Sequence, residues 1–334
     1  MSDMTANLTG PVEDFLYQEI PSEVWHYTTL GGFKGILSSS KVWATEARST
    51  NDKTEFVHAR DIALEYLKTA ERSDQHSEFA LIEAYKVVES AFITGALSLN
   101  ETEVFVASFS AAGDLKSQWA EYADHHKGVS IGFDLRNVRP PKGSGVGVTF
   151  APCVYEQAAK ESLIQSALSH FVRQSVKNYR QLTDKDWVAM QAKDWAMVQR
   201  IYGLDSFDRD GFQRSLDERI SSETLLSAAR SSFDLLRLAS HCKNRAFSEE
   251  KEWRLALPHT KGRDVVGEPV LRRGPDGSIH YVESNLFQSV GKLPITRVML
   301  GPLCDLRKEV EEILAVNGYS VPLLESNIPL RSRA

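Results

Sequence analysis

The chain has 334 residues, 42% of them hydrophobic and 25% charged, with a net charge of -6. That composition suits a soluble globular protein with one sizeable core plus an insertion. The acidic balance argues against an extended nucleic-acid surface, and apolar runs of strand length only predict no membrane span.

The opening stretch MSDMTANLTGPVEDF is polar and acidic and lacks an apolar h-region. It predicts a mobile tail from Met1 to Gly10 and no secretory signal. Cys153, Cys242 and Cys304 are scattered without CxxC spacing, so neither a disulfide framework nor a zinc site is expected. A reducing cytoplasm is the expected setting.

In chain order, Val24 to Thr28 reads as a short strand holding His26 among aromatics. Leu30 to Ser40 reads as a helix with Leu30, Phe33, Ile36 and Leu37 on one face. Lys41 to Thr45 is the next strand. Asn51-Asp52-Lys53-Thr54-Glu55 opens a helix through about Lys68, with Asp52 and Glu55 spaced like a capping box. Asp74 to Leu99 is largely helical. Glu103 to Asp134 predicts strand, helix, strand: Val104 to Phe109 alternate, and Asp114 is a candidate N-cap. Leu115, Trp119, Tyr122 and His126 share a helical face, and Gly128 is expected at the left-handed C′ position.

Pro140 to Gly145 is a turn-rich break, and Val146 to Tyr155 supplies a strand. Residues 156–240 read as a helical insertion, with apolar stripes at Trp187, Met190, Trp195, Val198 and Tyr202 and again from Leu225 to Leu238. Such stripes are packing surfaces before they are cofactor boxes. Glu252 to Leu257 is a strand, and a hairpin is expected around Arg273 to Ser278. Ile295 to Leu300, a helix from Asp305 to Val316 ended by Gly318, and a strand from Val321 to Leu324 complete the chain. The tally predicts one α+β domain over residues 1–334, without the regular alternation of a doubly wound sheet.

Five segments carry a resemblance: HYTTLGGFKGILSSSKVWAT (26–45), NDKTE (51–55), SFS…QWAEYADHHKGVSIGFD (108–134), KNRAFSEEKEWRL (243–255) and VMLGP…LLESNIPLR (298–331). In this order they resemble the bacterial family catalogued as domain of unknown function 2971. The segment layout is in turn similar to the ADP-ribosyltransferase superfamily, especially its branch that modifies nucleic acids. That likeness implies a split, mostly antiparallel sheet with a helical insertion. It also implies NAD as cofactor and a nucleic-acid or protein acceptor. A role in phage defence or a toxin system follows by analogy with the family's prokaryotic setting.

The resemblance puts His26 on the first strand as ribose anchor and Glu252 at the start of a late strand as catalytic carboxylate. Tyr27, Thr28, Arg48, Asn51, Asp52, Ser108 and Tyr122 become cofactor-binding candidates. The chemistry suits these types: cleaving the glycosidic bond of NAD builds positive charge at the ribose, which a carboxylate stabilises. Arg48 suits a pyrophosphate, because a guanidinium matches phosphate geometry in two contacts.

Each residue also has a plainer account. His26 is by itself a core or rim histidine, Asn51, Asp52 and Glu55 a helix start, Trp119 and Tyr122 core, and Glu249, Glu250 and Glu252 a solvated acidic cluster. Glu250 belongs to an ExK (Glu249-Glu250-Lys251) that, with Asp52, offers a metal-dependent nuclease as a second reading. A non-catalytic nucleotide-binding or sensor module is a third. His241 and Cys242 are adjacent and cannot pair as a catalytic dyad on one helix. The enzyme reading requires His26 and Glu252 to line one hollow; it fails if they stand on opposite faces of the sheet or if either is buried in a dry interior with no opening.

Overall fold

A computed structural model describes residues 10–47, 55–71, 75–89, 102–137, 148–179, 231, 234–260, 268–274, 277–284 and 292–330. The strands are β1 (Val24–Thr28), β2 (Val42–Glu46), β3 (Thr102–Ser110), β4 (Val129–Phe133), β5 (Thr149–Pro152), β6 (Glu252–Thr260), β7 (Val270–Gly274), β8 (Gly277–Ser284), β9 (Ile295–Leu300) and β10 (Leu323–Glu325). The helices among the described residues are α1 (Pro11–Leu16), α2 (Leu30–Ser39), α3 (Glu55–Thr69), α4 (Gln75–Glu89), α5 (Lys116–Tyr122), α6 (Gln157–Tyr179) and α7 (Arg307–Val316).

β3 is the seam. Its Val, Phe and Ala residues alternate without a proline, so both edges can carry a ladder. β6 occupies one edge throughout, from Thr102 opposite Thr260 to Ser110 opposite Glu252. β1 and β2 must therefore share the other edge. β1 meets it only where Trp25 faces Ser110, and β2 where Thr45 and Glu46 face Val106 and Phe105. The sheet forks at that edge. One arm continues β1-β4-β9-β10 and the other β2-β8-β7, while β5 lies outside β6. The β9–β10 pair is parallel and the other ladders are antiparallel. The protein is thus a mixed α and β structure on an open, mostly antiparallel sheet.

Alternation along the strands divides the packing. Phe105, Ala107 and Phe109 of β3 face a core shared with Val24, Ile131, Phe133 and Leu255, covered by Phe33, Ile36 and Leu37 of α2 and Val310 and Leu314 of α7. Each such side chain contributes roughly 1.5–3 kcal/mol when fully buried. A second core joins α1, α3, α4 and α6 through Leu16, Ile62, Val88, Ile164, Leu168 and Phe171, together with Leu235 and Leu238. The insertion is helical where it is described, over Gln157–Tyr179 and 234–239. Its Trp187 to Tyr202 stripe, residues 225–230, the Pro140 to Gly145 break, the first nine residues and the end of the helix predicted through Leu99 lie outside the described residues. Among the described residues, no helix is long and apolar enough to cross a membrane.

Two expectations for the central stretch are corrected. Asp114 does not cap α5, whose N-cap is Leu115 with no side-chain bond. The Asp114 carboxylate instead accepts from the Trp119 indole (2.7 Å), the Ser326 hydroxyl (2.6 Å) and the Asn327 amide (2.8 Å). It clasps the chain's last described segment to α5.

Nor does the helix run to His126. It stops at Tyr122, and Asp124, His125 and His126 take positive φ values of 46°, 50° and 78°. Gly128 is required by space and not by φ: a Cβ there would stand 2.3 Å from the Thr28 carbonyl oxygen. The loop thereby lies flush against β1.

Removing the clasp has a local readout. Asp114→Ala strips three donors of their charged acceptor and leaves the indole of a fully buried Trp119 unsatisfied, which is expected to cost about 2–3 kcal/mol. Hydrogen exchange at Asn327 and Ile328 should accelerate in that variant. Unchanged protection there would mean that the carboxylate is not the anchor.

Candidate functional site

The fork between β1 and β2 opens a cleft of about 680 Å³. Its walls come from both sides of the sheet: Gly31, Gly32 and Gly35 of α2 on one, Tyr122, Lys243 and Phe247 on the other. α2 approaches closely because its first turns carry glycines; a Cβ on Gly32 would stand 2.1 Å from the Thr28 hydroxyl. Thr29 starts the helix by accepting from the Gly32 amide at 3.0 Å.

His26 and Glu252 both line this hollow. They reach it from opposite faces of the sheet, the arrangement expected to defeat the enzyme reading, although both line one cavity. Trp25 faces Ser110, and Ser110 faces Glu252, so Trp25 and Glu252 share a face and His26 turns to the other. The two residues meet in one cavity only because the sheet is parted there. Across the gap, the His26 Nδ1 bonds to the Ser108 carbonyl at 2.9 Å. A carbonyl only accepts, so Nδ1 carries the proton and Nε2 keeps its lone pair. Burial lowers the histidine's pKa, opposed by the Ser108 bond, so the ring is neutral at ordinary pH. His26 is therefore an oriented acceptor.

Glu252 is 4% exposed and carries the densest charge network of the site. Its Oε2 accepts from Lys243 Nζ (2.5 Å), Arg254 Nη2 (3.3 Å) and the Cys153 thiol (3.4 Å). Its Oε1 accepts from Arg254 Nε (2.8 Å) and has a second lone pair in hand. Burial alone would raise the carboxyl's pKa. The charges of Arg254 and Lys243 outweigh it and hold the group at about 2. Lys243 also bonds Glu250 at 2.6 Å, and burial keeps the Glu250 pKa above the usual carboxylate value despite that contact. The acidic trio is thus split: Glu249 is exposed, while Glu250 and Glu252 are buried around one lysine.

The other candidates divide. Thr28, Ser108 and Tyr122 line the cleft. Tyr27 lines it too, but its hydroxyl is committed, donating to the Ala112 carbonyl (2.8 Å) and accepting from the Leu115 amide (2.9 Å). Its ring meets Trp119 edge-on at 4.8 Å, so Tyr27 braces the turn into α5. Arg48, Asn51 and Asp52, and the side chain of Glu55, lie outside the described residues.

The reading of the sequence omitted Arg254, Lys243, Trp43, Phe247, Lys41 and Arg272, all of which line the cleft. Arg254 was legible, since a residue two beyond Glu252 on a strand shares its face. Trp43 is 47% exposed against Tyr281, with ring centroids 4.5 Å apart, and offers a flat apolar wall. Lys243 carried no local signal, because it arrives from the turn that precedes the 3-10 helix Arg245–Glu250.

His241 and Cys242 are both buried, His241 beside Thr149 at 3.0 Å and edge-on to Phe15. Burial, with Arg254 and Arg237 adding to it, lowers the histidine's pKa to about 3. Among the described residues, no group of three or more His, Cys, Asp or Glu is arranged to hold a metal ion. Of the residues behind the ExK reading, Glu249 and Lys251 are exposed and Asp52 lies outside the described residues.

These shifts fix an acid response. Both pKa values are depressed in the folded state, so both groups stabilise it fully above their unfolded values and lose that effect as pH falls through the folded ones. His241 contributes above about pH 6.5 and loses it toward about 3; Glu252 contributes above about 4.5 and loses it toward about 2. At about 1.4 kcal/mol per pKa unit, each term is several kcal/mol. Urea denaturation at stepped pH should show stability falling from pH 6.5 downward. His241→Leu should flatten the slope between pH 6.5 and 4.5 and reduce it between 4.5 and about 3, leaving the part due to Glu252. An equal slope in both proteins would refute the assignment to His241.

A family model described as "Protein of unknown function (DUF2971)" matches residues 118–255, from Gln118 in α5 to Leu255 in β6. No curated protein and no solved structure matches the chain. The matched stretch holds Tyr122, Lys243, Phe247, Glu252 and Arg254, so the family likeness covers one wall of the cleft, and the chain resembles that family over this stretch.

Proposed function

We propose that the cleft binds NAD and that the protein is an ADP-ribosyltransferase-like enzyme. The observation that carries this reading is the meeting, in one parted-sheet cavity, of an ionised carboxylate with a spare lone pair and a neutral histidine with a free acceptor nitrogen. The volume of about 680 Å³ falls in the range of small-molecule and cofactor sites. Arg254, Arg272 and Lys41 supply cationic groups for a pyrophosphate, and Trp43 and Phe247 supply flat walls for rings.

In this reading Glu252 Oε1 accepts from a ribose hydroxyl and faces the positive charge that grows at C1′ as the glycosidic bond lengthens. The bonding pair leaves with nicotinamide, which departs neutral. The acceptor's lone pair forms the new bond to C1′, and its proton passes to solvent. Lys243 and Arg254 keep the carboxylate ionised and fixed in place. His26 Nε2 holds a second hydroxyl. The acceptor is a nucleic acid, a protein or water.

One observation favours a second reading, a nucleotide-binding module without turnover. Glu252 Oε2 is saturated by three donors, as befits a structural ion cluster. Nicotinamide release separates the two. For the enzyme, wild-type protein releases nicotinamide from NAD, and Glu252→Gln loses at least 100-fold in rate while calorimetry still detects NAD. His26→Ala should weaken NAD binding about tenfold with the fold intact by circular dichroism. NAD bound without any release selects the module, and no binding by the wild type ends both readings.

A further inference from the structure

A second hollow of about 400 Å³ lies behind the cleft, between α3 and the first turn of α6. Val57, His58 and Asp61 line it from α3, Tyr155, Glu156, Gln157 and Lys160 from the start of α6, and residues 242–245 close it. Lys243 lines both cavities and holds Glu250 and Glu252.

The charges lining this pocket balance except for one. Asp61 is paired with Arg60 at 2.8 Å, Glu156 with Arg245 at 3.5 Å, and Lys243 with Glu250 and Glu252. His58 Nε2 is bonded to Gln157 Oε1 at 2.8 Å. Lys160 is 3% exposed, and among the described residues its ammonium has neither an ion pair nor a hydrogen bond. The residue's slight exposure opens on the pocket, so an anion seated there would meet an ammonium that has no partner among the described residues. Lys160 stands one turn into a helix of 23 residues whose first amides lack intrahelical acceptors. Those amides and the helix dipole favour negative charge at the same end.

We propose that this pocket is a phosphate-binding site, with Lys160 as its charged ligand and the first turn of α6 as its cradle. The assignment does not rest on what the cleft binds. Its volume exceeds the need of a bare ion, and Val57 and Tyr155 add apolar wall, so the phosphate group can come from a small organic phosphate or from the free ion.

Calorimetric titration of the full chain with inorganic phosphate and, separately, with adenosine monophosphate tests the site and its source. Binding of either probe that weakens at least tenfold in Lys160→Met and persists in Lys160→Arg is the expected result. A preference for the nucleotide marks an organic phosphate, and equal affinity marks the free ion. Val316→Ser, on an exposed helix end that lines neither cavity, should bind both probes as the wild type does. Should Lys160→Met fail to fold, wild-type crystals soaked in tungstate decide by the position of the heavy atom. No binding of either probe, equal binding by Lys160→Met, or tungstate only in the cleft overturns the assignment.

Discussion

A single buried knot of charge governs the architecture around the cleft. Glu252 holds Lys243 and Arg254, and Lys243 holds Glu250, all with under one tenth of their surface exposed. Arg254 also donates from Nη1 to the Ser240 carbonyl at 2.8 Å. The knot thus ties the start of β6 to the turn after the helical residues 234–239. Breaking a buried pair from one side costs about 3–5 kcal/mol, because the remaining ion is stranded away from water. Such a cluster is poor at adding net stability but good at forcing one arrangement of the chain. Here it fixes the wall of a cavity.

The fork in the sheet is the second constraint, and it follows from register. β1 meets β3 only at Trp25 and Ser110, and β2 only at Thr45 and Glu46 opposite Val106 and Phe105. That leaves Ala107 to Phe109 without a strand partner on this edge. In this molecule the Ser108 carbonyl lies in that gap and accepts from His26. A strand histidine that would otherwise be a rim residue is thereby turned into an oriented acceptor. Gly32 completes the effect by letting the first turn of α2 lie close against Thr28 at the opening.

The two hollows on either side of Lys243 give the region a double character. One is large, bordered by aromatic rings and several cations; the other is smaller and electrically balanced except for Lys160. Their shared lysine means that a charge placed in either acts on the same carboxylates. In a buried setting such an influence is not screened as it would be at the surface.

Local chemistry in the sequence determined which elements form. The alternation from Val104 to Phe109, the apolar face of Phe33, Ile36 and Leu37, and the glycine after α7 each produced the expected element, because period and cap act within a few residues. That a first-strand histidine and a late-strand glutamate line one cleft was expected from the order of motifs, whereas their approach from opposite faces was not. Tertiary structure alone decided the rest. Asp114 clasps Ser326 and Asn327 instead of capping its helix, since donors more than two hundred residues away in sequence compete with local amides only once the chain is folded. Lys243 enters the site from a turn, and His26 and Glu252 arrive from opposite faces, because the opening of a sheet depends on which strands share an edge. That is a property of pairing, and no window along the chain contains it.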